Sequence, residues 1–129
     1  MPHSRFAGYA PYALAALRIV AALIFIEHGT AKLFSWPEGV RPAGVELMSL
    51  LGLAGILEVV GGLLLLVGLW TRPVAFILSG QMAAAYWMAH ARRAIWPAAN
   101  DGDAAILYCF VFLYLAFAGA GAWAADNRR

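Results

Sequence analysis

An all-α integral membrane protein, an up-down bundle of four transmembrane helices, is what this sequence predicts. Three observations carry that expectation. The 129-residue chain is 64% hydrophobic and only 12% charged, against roughly 45–50% and about 25% in soluble domains. Its apolar residues gather into four segments, each near the roughly 20 residues that a helix needs to cross a bilayer core. The breaks between the segments are rich in Pro, Gly, Trp and charge. Helices follow because hydrocarbon leaves backbone polar groups no partner outside their own segment.

In chain order, residues 1–11 read as a polar N-terminal tail. They do not read as a signal peptide, since the first apolar run carries its own charges and lacks a clear cleavage site. One domain covers 12–126, with spans expected at about 12–34, 45–70, 73–91 and 104–125, and 127–129 form a C-terminal tail. Trp36-Pro37-Glu38-Gly39 ends the first span, because Pro and Gly cannot continue a helix and Trp prefers the interface. Trp70-Thr71-Arg72-Pro73 is a tight turn that forces the second and third spans to be antiparallel neighbours, with Pro73 suited to a first helical position. Asp101 or Asp103 is the expected N-cap of the last span. No internal repeat is evident.

Four spans put both termini on one side. Arg5, Arg72, Arg128 and Arg129 lie there, against Arg41, Arg92 and Arg93 on the other. The balance leans toward cytoplasmic termini.

Several function classes are disfavoured. Net charge is only +2, with no basic run or aromatic platform, so nucleic acid is not an expected partner. Cys109 is the only cysteine and reads as a small buried hydrophobe. Zinc needs three or four ligands at metal spacing, and beyond His28 and His90 only His3 remains. Two histidines alone make a weak case for bis-histidine haem. No phosphate loop or nucleophile–base pair is present, so no catalytic residue can be named.

The informative groups are the ionisable residues inside apolar segments, which are functional-site hypotheses by default. Arg18, Phe25 and Lys32 are spaced by sevens and share a helix face. His28 and Lys32 are neighbours at i, i+4, while Glu27 falls on another face. Glu58 lies among Gly55, Gly61 and Gly62, small residues that allow close helix approach. By depth, Arg18 is its expected partner. That pair either fixes helix register or forms a proton or ligand site. A second cluster joins His28 and Lys32 to the end of the third span (His90, Arg92, Arg93) and the start of the last (Asn100, Asp101 and Asp103, with Tyr108 near them), with Lys32 paired to Asp103 or Glu46. It reads equally as a ligand site or as interfacial snorkelling and capping. Gln81, a lone amide, reads as an interhelical hydrogen bond.

At these residues the chain resembles the DoxX family of small bacterial membrane proteins, from about Leu17 to Asp126. The carrying motifs are Arg18, Phe25, His28-Gly29 and Lys32-Leu33; Gly55-x-x-Glu58-x-x-Gly61-Gly62 with Gly68 and Thr71-Arg72-Pro73; and Asn100-Asp101-Gly102-Asp103 with Leu107-Tyr108, then Gly119-x-Gly121-x-Trp123-x-x-Asp126. Many relatives read Asn-Gly-Gly-Glu where this chain reads Asn-Asp-Gly-Asp. The resemblance implies a bacterial inner-membrane subunit of a redox complex, linked to quinone and sulfur chemistry, with partner redox subunits. A quinone is the cofactor so implied, with His28, Lys32, Asp103 and Tyr108 as its candidate contacts and Arg18–Glu58 as helix tie or proton relay. A non-enzymatic scaffold or a small-solute permeation protein is the alternative, and a homo-oligomer is compatible with either.

Overall fold

The computed structural model describes residues 5–128, and among these every regular element is helical. His3, Arg129 and the first part of the expected tail lie outside the described residues. A 3-10 turn (Ala7–Tyr9) leads into α1 (Ala10–Phe34). Then come α2 (Leu50–Val67), α3 (Thr71–Ala85) with a π-helical turn (Tyr86–His90), α4 (Asp103–Ala118) and a last 3-10 turn (Ala125–Arg128). Two helical stretches, Ala7–Phe34 and Leu50–Val67, are long and apolar enough to cross a membrane by length and composition.

The boundaries have local causes. α1 ends where Ser35 takes a left-handed conformation and donates its N–H to the Ala31 carbonyl. The chain then folds back. Gly44 N–H reaches the Ala31 carbonyl at 3.0 Å, and Val45 N–H reaches that of Lys32 at 2.8 Å, so the open carbonyls of the last turn find partners. This fold-back consumes the residues expected to begin the second span near 45. α2 starts instead at Leu50, capped by Ser49, whose Oγ accepts the Gly52 N–H at 3.0 Å. α2 ends at Gly68, with φ of 71°, a left-handed position that favours glycine.

The start of α3 is capped from far along the chain. The Asp126 carboxylate accepts the N–H groups of Trp70 and Thr71, at 2.7 and 3.0 Å. Pro73 is thus the third helical residue, not the first. α4 opens on Asp103 after Gly102, with no side-chain cap. Neither Asp101 nor Asp103 caps it, because Gly102 holds the cap position, with Asp101 one residue before it and Asp103 already the first helical residue; Asn100 Oδ1 accepts the Gly102 N–H at 2.9 Å. α4 stops at Ala118, short of 125, because Gly119 and Gly121 have φ of 86° and 75° and turn the chain back.

That turn faces its carbonyls to Arg18. The fully buried guanidinium donates to Ala120 O, to Ala122 O at 3.1 Å and to Trp123 O at 3.0 Å. Arg18 therefore ties α1 to the C-terminal loop and is not the partner of Glu58, as depth had implied. The late start of α2 is the reason, since it slides every α2 residue toward the far end of α1.

α1 and α2 pack antiparallel and closely. A Cβ on Gly29 would lie 2.9 Å from Glu58 Cβ, and one on Gly55 would lie 3.1 Å from Lys32 Cβ. α3 and α4 form the second close pair, tied where Ser79 Oγ donates to Cys109 O at 2.7 Å. Phe25 joins the pairs, with its ring 4.9 Å edge-on from Phe112 and 5.3 Å from Tyr108. The outer faces carry exposed apolar side chains, among them Leu23, Leu63, Phe76 and Phe110.

Two glycine substitutions test this packing. Gly29→Ala places a methyl 2.8–2.9 Å from Val59 and Glu58 atoms, and overpacking of this kind costs about 1–3 kcal/mol. Gly80→Ala meets nothing within 4 Å and should be neutral or mildly stabilising. Unfolding of both variants in mixed micelles checks the order; equal stability would contradict the α1–α2 register.

A cavity with a buried polar wall

α2 and α3 meet at the short turn between Val67 and Thr71. At their opposite ends stands a cavity of about 760 Å³, to which all four helices contribute. Leu57 of α2 and Met82 and Met88 of the third helix make apolar wall. Phe25 and His28 come from α1, and Ala105 and Tyr108 from α4. Arg41 and Pro42 of the fold-back also line it, as do Arg93 and Asp101 of the last connection.

The deepest polar feature is a three-residue network. Lys32 Nζ lies 2.7 Å from Glu58 Oε1, and both side chains are almost wholly buried. Gln81 Nε2 donates to the other carboxylate oxygen at 2.9 Å and approaches the Ala54 carbonyl at 3.4 Å. Lys32 is thus paired with Glu58, and neither Asp103 nor Glu46 takes that place. The amide of Gln81 can face only one way, since reversing it would set oxygen against carboxylate oxygen. Its Oε1 is consequently buried without a hydrogen-bond partner among the described residues.

His28 and Tyr108 sit together, as the sequence implied. Their rings meet edge to face with centroids 6.2 Å apart, and Tyr108 stacks on Phe112 at 5.6 Å. Among the described residues, neither His28 nor the Tyr108 hydroxyl has a hydrogen-bond partner in the protein. Asp103 does not join them. It is exposed on the first turn of α4 and does not line the cavity. Asp101 lines it instead, held 3.9 Å from Arg93 in an exposed pair. The difference is one of helical phase: Ala104, Ala105 and Tyr108 occupy the inward face at that end of α4. Glu27 is exposed and outside the cavity, in keeping with its separate face.

His90, expected in the polar cluster at this end, and Gln81, expected only as an interhelical hydrogen bond, both line the cavity. His90 Nδ1 lies 2.9 Å from the Asn100 carbonyl. Asn100 is fully buried and donates to Ala94 O at 3.0 Å and to the Tyr86 hydroxyl at 3.1 Å. The sequence places His90 and Asn100 in one polar cluster, but the bond between them and the bond of Gln81 to Glu58 depend on how the helices pack. Among the described residues no group of three or more His, Cys, Asp or Glu could hold a metal ion.

The network makes a sharp stability prediction. Glu58→Gln leaves the Lys32 ammonium buried without its counter-ion, and breaking a buried pair from one side costs about 3–5 kcal/mol. Adding Lys32→Met to Glu58→Gln removes the stranded charge and should recover most of that loss. A double-mutant cycle on unfolding free energies reads the coupling; additive losses would refute it.

The DoxX family model matches residues 13–91, from α1 through the π-helical turn. An uncharacterized protein of Haemophilus influenzae is 48% identical over 124 residues, covering 93% of this chain and 92% of its own. An uncharacterized membrane protein of Mycobacterium tuberculosis is 25% identical over 134 residues, covering 92% of this chain and 82% of its own. No solved structure matches. With most of its length matched by the family model and nearly all of it by a relative at this identity, the chain belongs to the DoxX family.

Proposed function

We propose that this DoxX-family protein is a four-span inner-membrane protein whose cavity binds a quinone-class ligand, and that it serves a redox complex as a membrane subunit. The observation that carries the reading is the cavity itself. Small-molecule sites are mostly apolar, with a few convergent polar groups. This one joins Leu57, Met82 and Met88 to His28, Tyr108 and Lys32.

Membrane residence is supported by the apolar outer faces and by helix length. At 1.5 Å per residue, the 18 residues of α2 reach about 27 Å and the 25 of α1 exceed the roughly 30 Å of a bilayer core. Relatives point the same way, since one is named a membrane protein. The charge balance favours cytoplasmic termini. The cavity, at the end of the bundle away from the termini, then lies toward the outer face.

The residues fit a quinone by their hydrogen-bonding chemistry. The unpartnered His28 ring and Tyr108 hydroxyl each offer a donor, and two Lys32 N–H groups remain beyond the one given to Glu58. Apolar walls suit the ring and tail. A bound quinone would supply two-electron chemistry. In this reading the chain's own residues orient the ligand and exclude water, and oxidation of the primary substrate belongs to a partner subunit.

A second reading, a non-enzymatic scaffold, draws on the Lys32–Glu58–Gln81 network, which ties three helices together without any ligand. The two readings part on one measurement. Protein purified in a mild detergent should retain about one quinone per chain on extraction and chromatography. His28→Ala should lower retention at least tenfold while its melting curve stays unchanged. Wild-type protein free of quinone, or His28→Ala retaining it as wild type does, would favour the scaffold.

A further inference from the structure

We propose that the cavity selects the reduced, hydroxyl-bearing form of its ligand, a hydroquinone or comparable phenol, over the dicarbonyl form, and that His90 makes the selection. This rests on the quinone-class reading above and says which member of the couple the site holds more tightly.

His90 differs from the other polar groups of the cavity in having its hydrogen-bonding sense set by the backbone. Its Nδ1 lies 2.9 Å from the carbonyl of Asn100. A carbonyl only accepts, so Nδ1 carries the proton. In a neutral imidazole the lone pair then belongs to Nε2. No protein group among the described residues bonds Nε2, and the residue lines the cavity.

The surroundings hold this arrangement in place. Asn100 is fully buried and anchored through its side chain to Ala94, Tyr86 and Gly102. The Tyr86 ring stacks on that of His90 at 6.5 Å with an interplanar angle of 22°. Gly102 is required at its position, since a Cβ would come within 2.5 Å of the Tyr86 ring and 2.6 Å of Asn100 Oδ1. The π-helical turn that carries Tyr86 and His90 is a feature frequent at functional sites.

An acceptor of fixed sense discriminates. A hydroquinone hydroxyl donates to Nε2, while its oxygen can still accept elsewhere. A quinone carbonyl would set a lone pair against a lone pair. His28 and the Tyr108 hydroxyl can each donate or accept, and Lys32 donates to either form through its oxygens, so none of them opposes the choice. Gln81 Oε1 is a second acceptor of fixed sense, but it is shielded within the wall; the Glu58 carboxylate is taken up by Lys32 and Gln81, and that of Asp101 lies exposed beside Arg93, which leaves His90 as the selecting group. The difference of one hydrogen bond made or left unmade corresponds to a preference of about tenfold.

The test uses the full chain in lipid nanodiscs at mildly alkaline pH, titrated with decyl-benzohydroquinone and with decyl-benzoquinone. The expected result is about tenfold tighter binding of the hydroquinone. That ratio raises the midpoint potential of the bound couple by about 30 mV. His90→Phe should bring the ratio near one while quinone binding persists. Nitrogen NMR of the wild-type imidazoles, which needs no variant, should show His90 protonated at Nδ1. Equal affinities, tighter quinone binding, or a His90 proton on Nε2 would overturn the selection and leave the quinone-class reading intact. Binding of neither probe would overturn both.

Discussion

Lys32 and Glu58 are buried together, 2.7 Å apart, and much of the structure is arranged around keeping them so. Removing a charge from water costs several kcal/mol even after relaxation, and only a close partner with further hydrogen bonds offsets it. That requirement brings α1 and α2 into contact, with Gly29 leaving space for Val59 and Glu58 and Gly55 for Lys32 and Leu33. It also recruits α3, because the second carboxylate oxygen needs a donor and Gln81 provides it. One ion pair thereby relates three helices, and the cavity stands beside it.

At the other end of the bundle Arg18 meets the same constraint differently. Backbone carbonyls accept its N–H groups. Those carbonyls are available because Gly119 and Gly121 end α4 early. Asp126, farther along the same segment, caps α3. The C-terminal segment is thus a structural part of the bundle, joined to α1 and α3 by charge-assisted hydrogen bonds, which are stronger than neutral ones. The two buried cations serve different ends of the molecule, one locking the terminal loop and one bordering the cavity.

Much of this was legible beforehand, and the misses are instructive. Four apolar segments with Pro, Gly and Trp between them imply four helices, because the 20-residue scale of an apolar run is a local property. The placement of Glu58 on a glycine-lined, packed face was legible for the same reason, and the nearness of His28 to Tyr108 followed from both lying at the same end of their spans. The partner of Glu58 was not. Pairing across helices depends on register, and register depends on how the 35–49 connection folds. That stretch returns to bond the carbonyls of Ala31 and Lys32, which no periodicity announces. Asp103 was misplaced for a related reason, since its direction depends on where α4 begins to the residue.

Composition, the lengths of the apolar runs and the family motifs were determined by the sequence itself, because each is a property of neighbouring residues. Which charge neutralises which, and which groups face the cavity, was decided only by the tertiary structure. Lys32 reaches Glu58, Arg18 reaches the C-terminal carbonyls, and His90 is fixed by Asn100. These choices join distant parts of the chain. Their energies exist only once helix register and loop path have set the distances, so the same charges in the same order would have allowed another pairing.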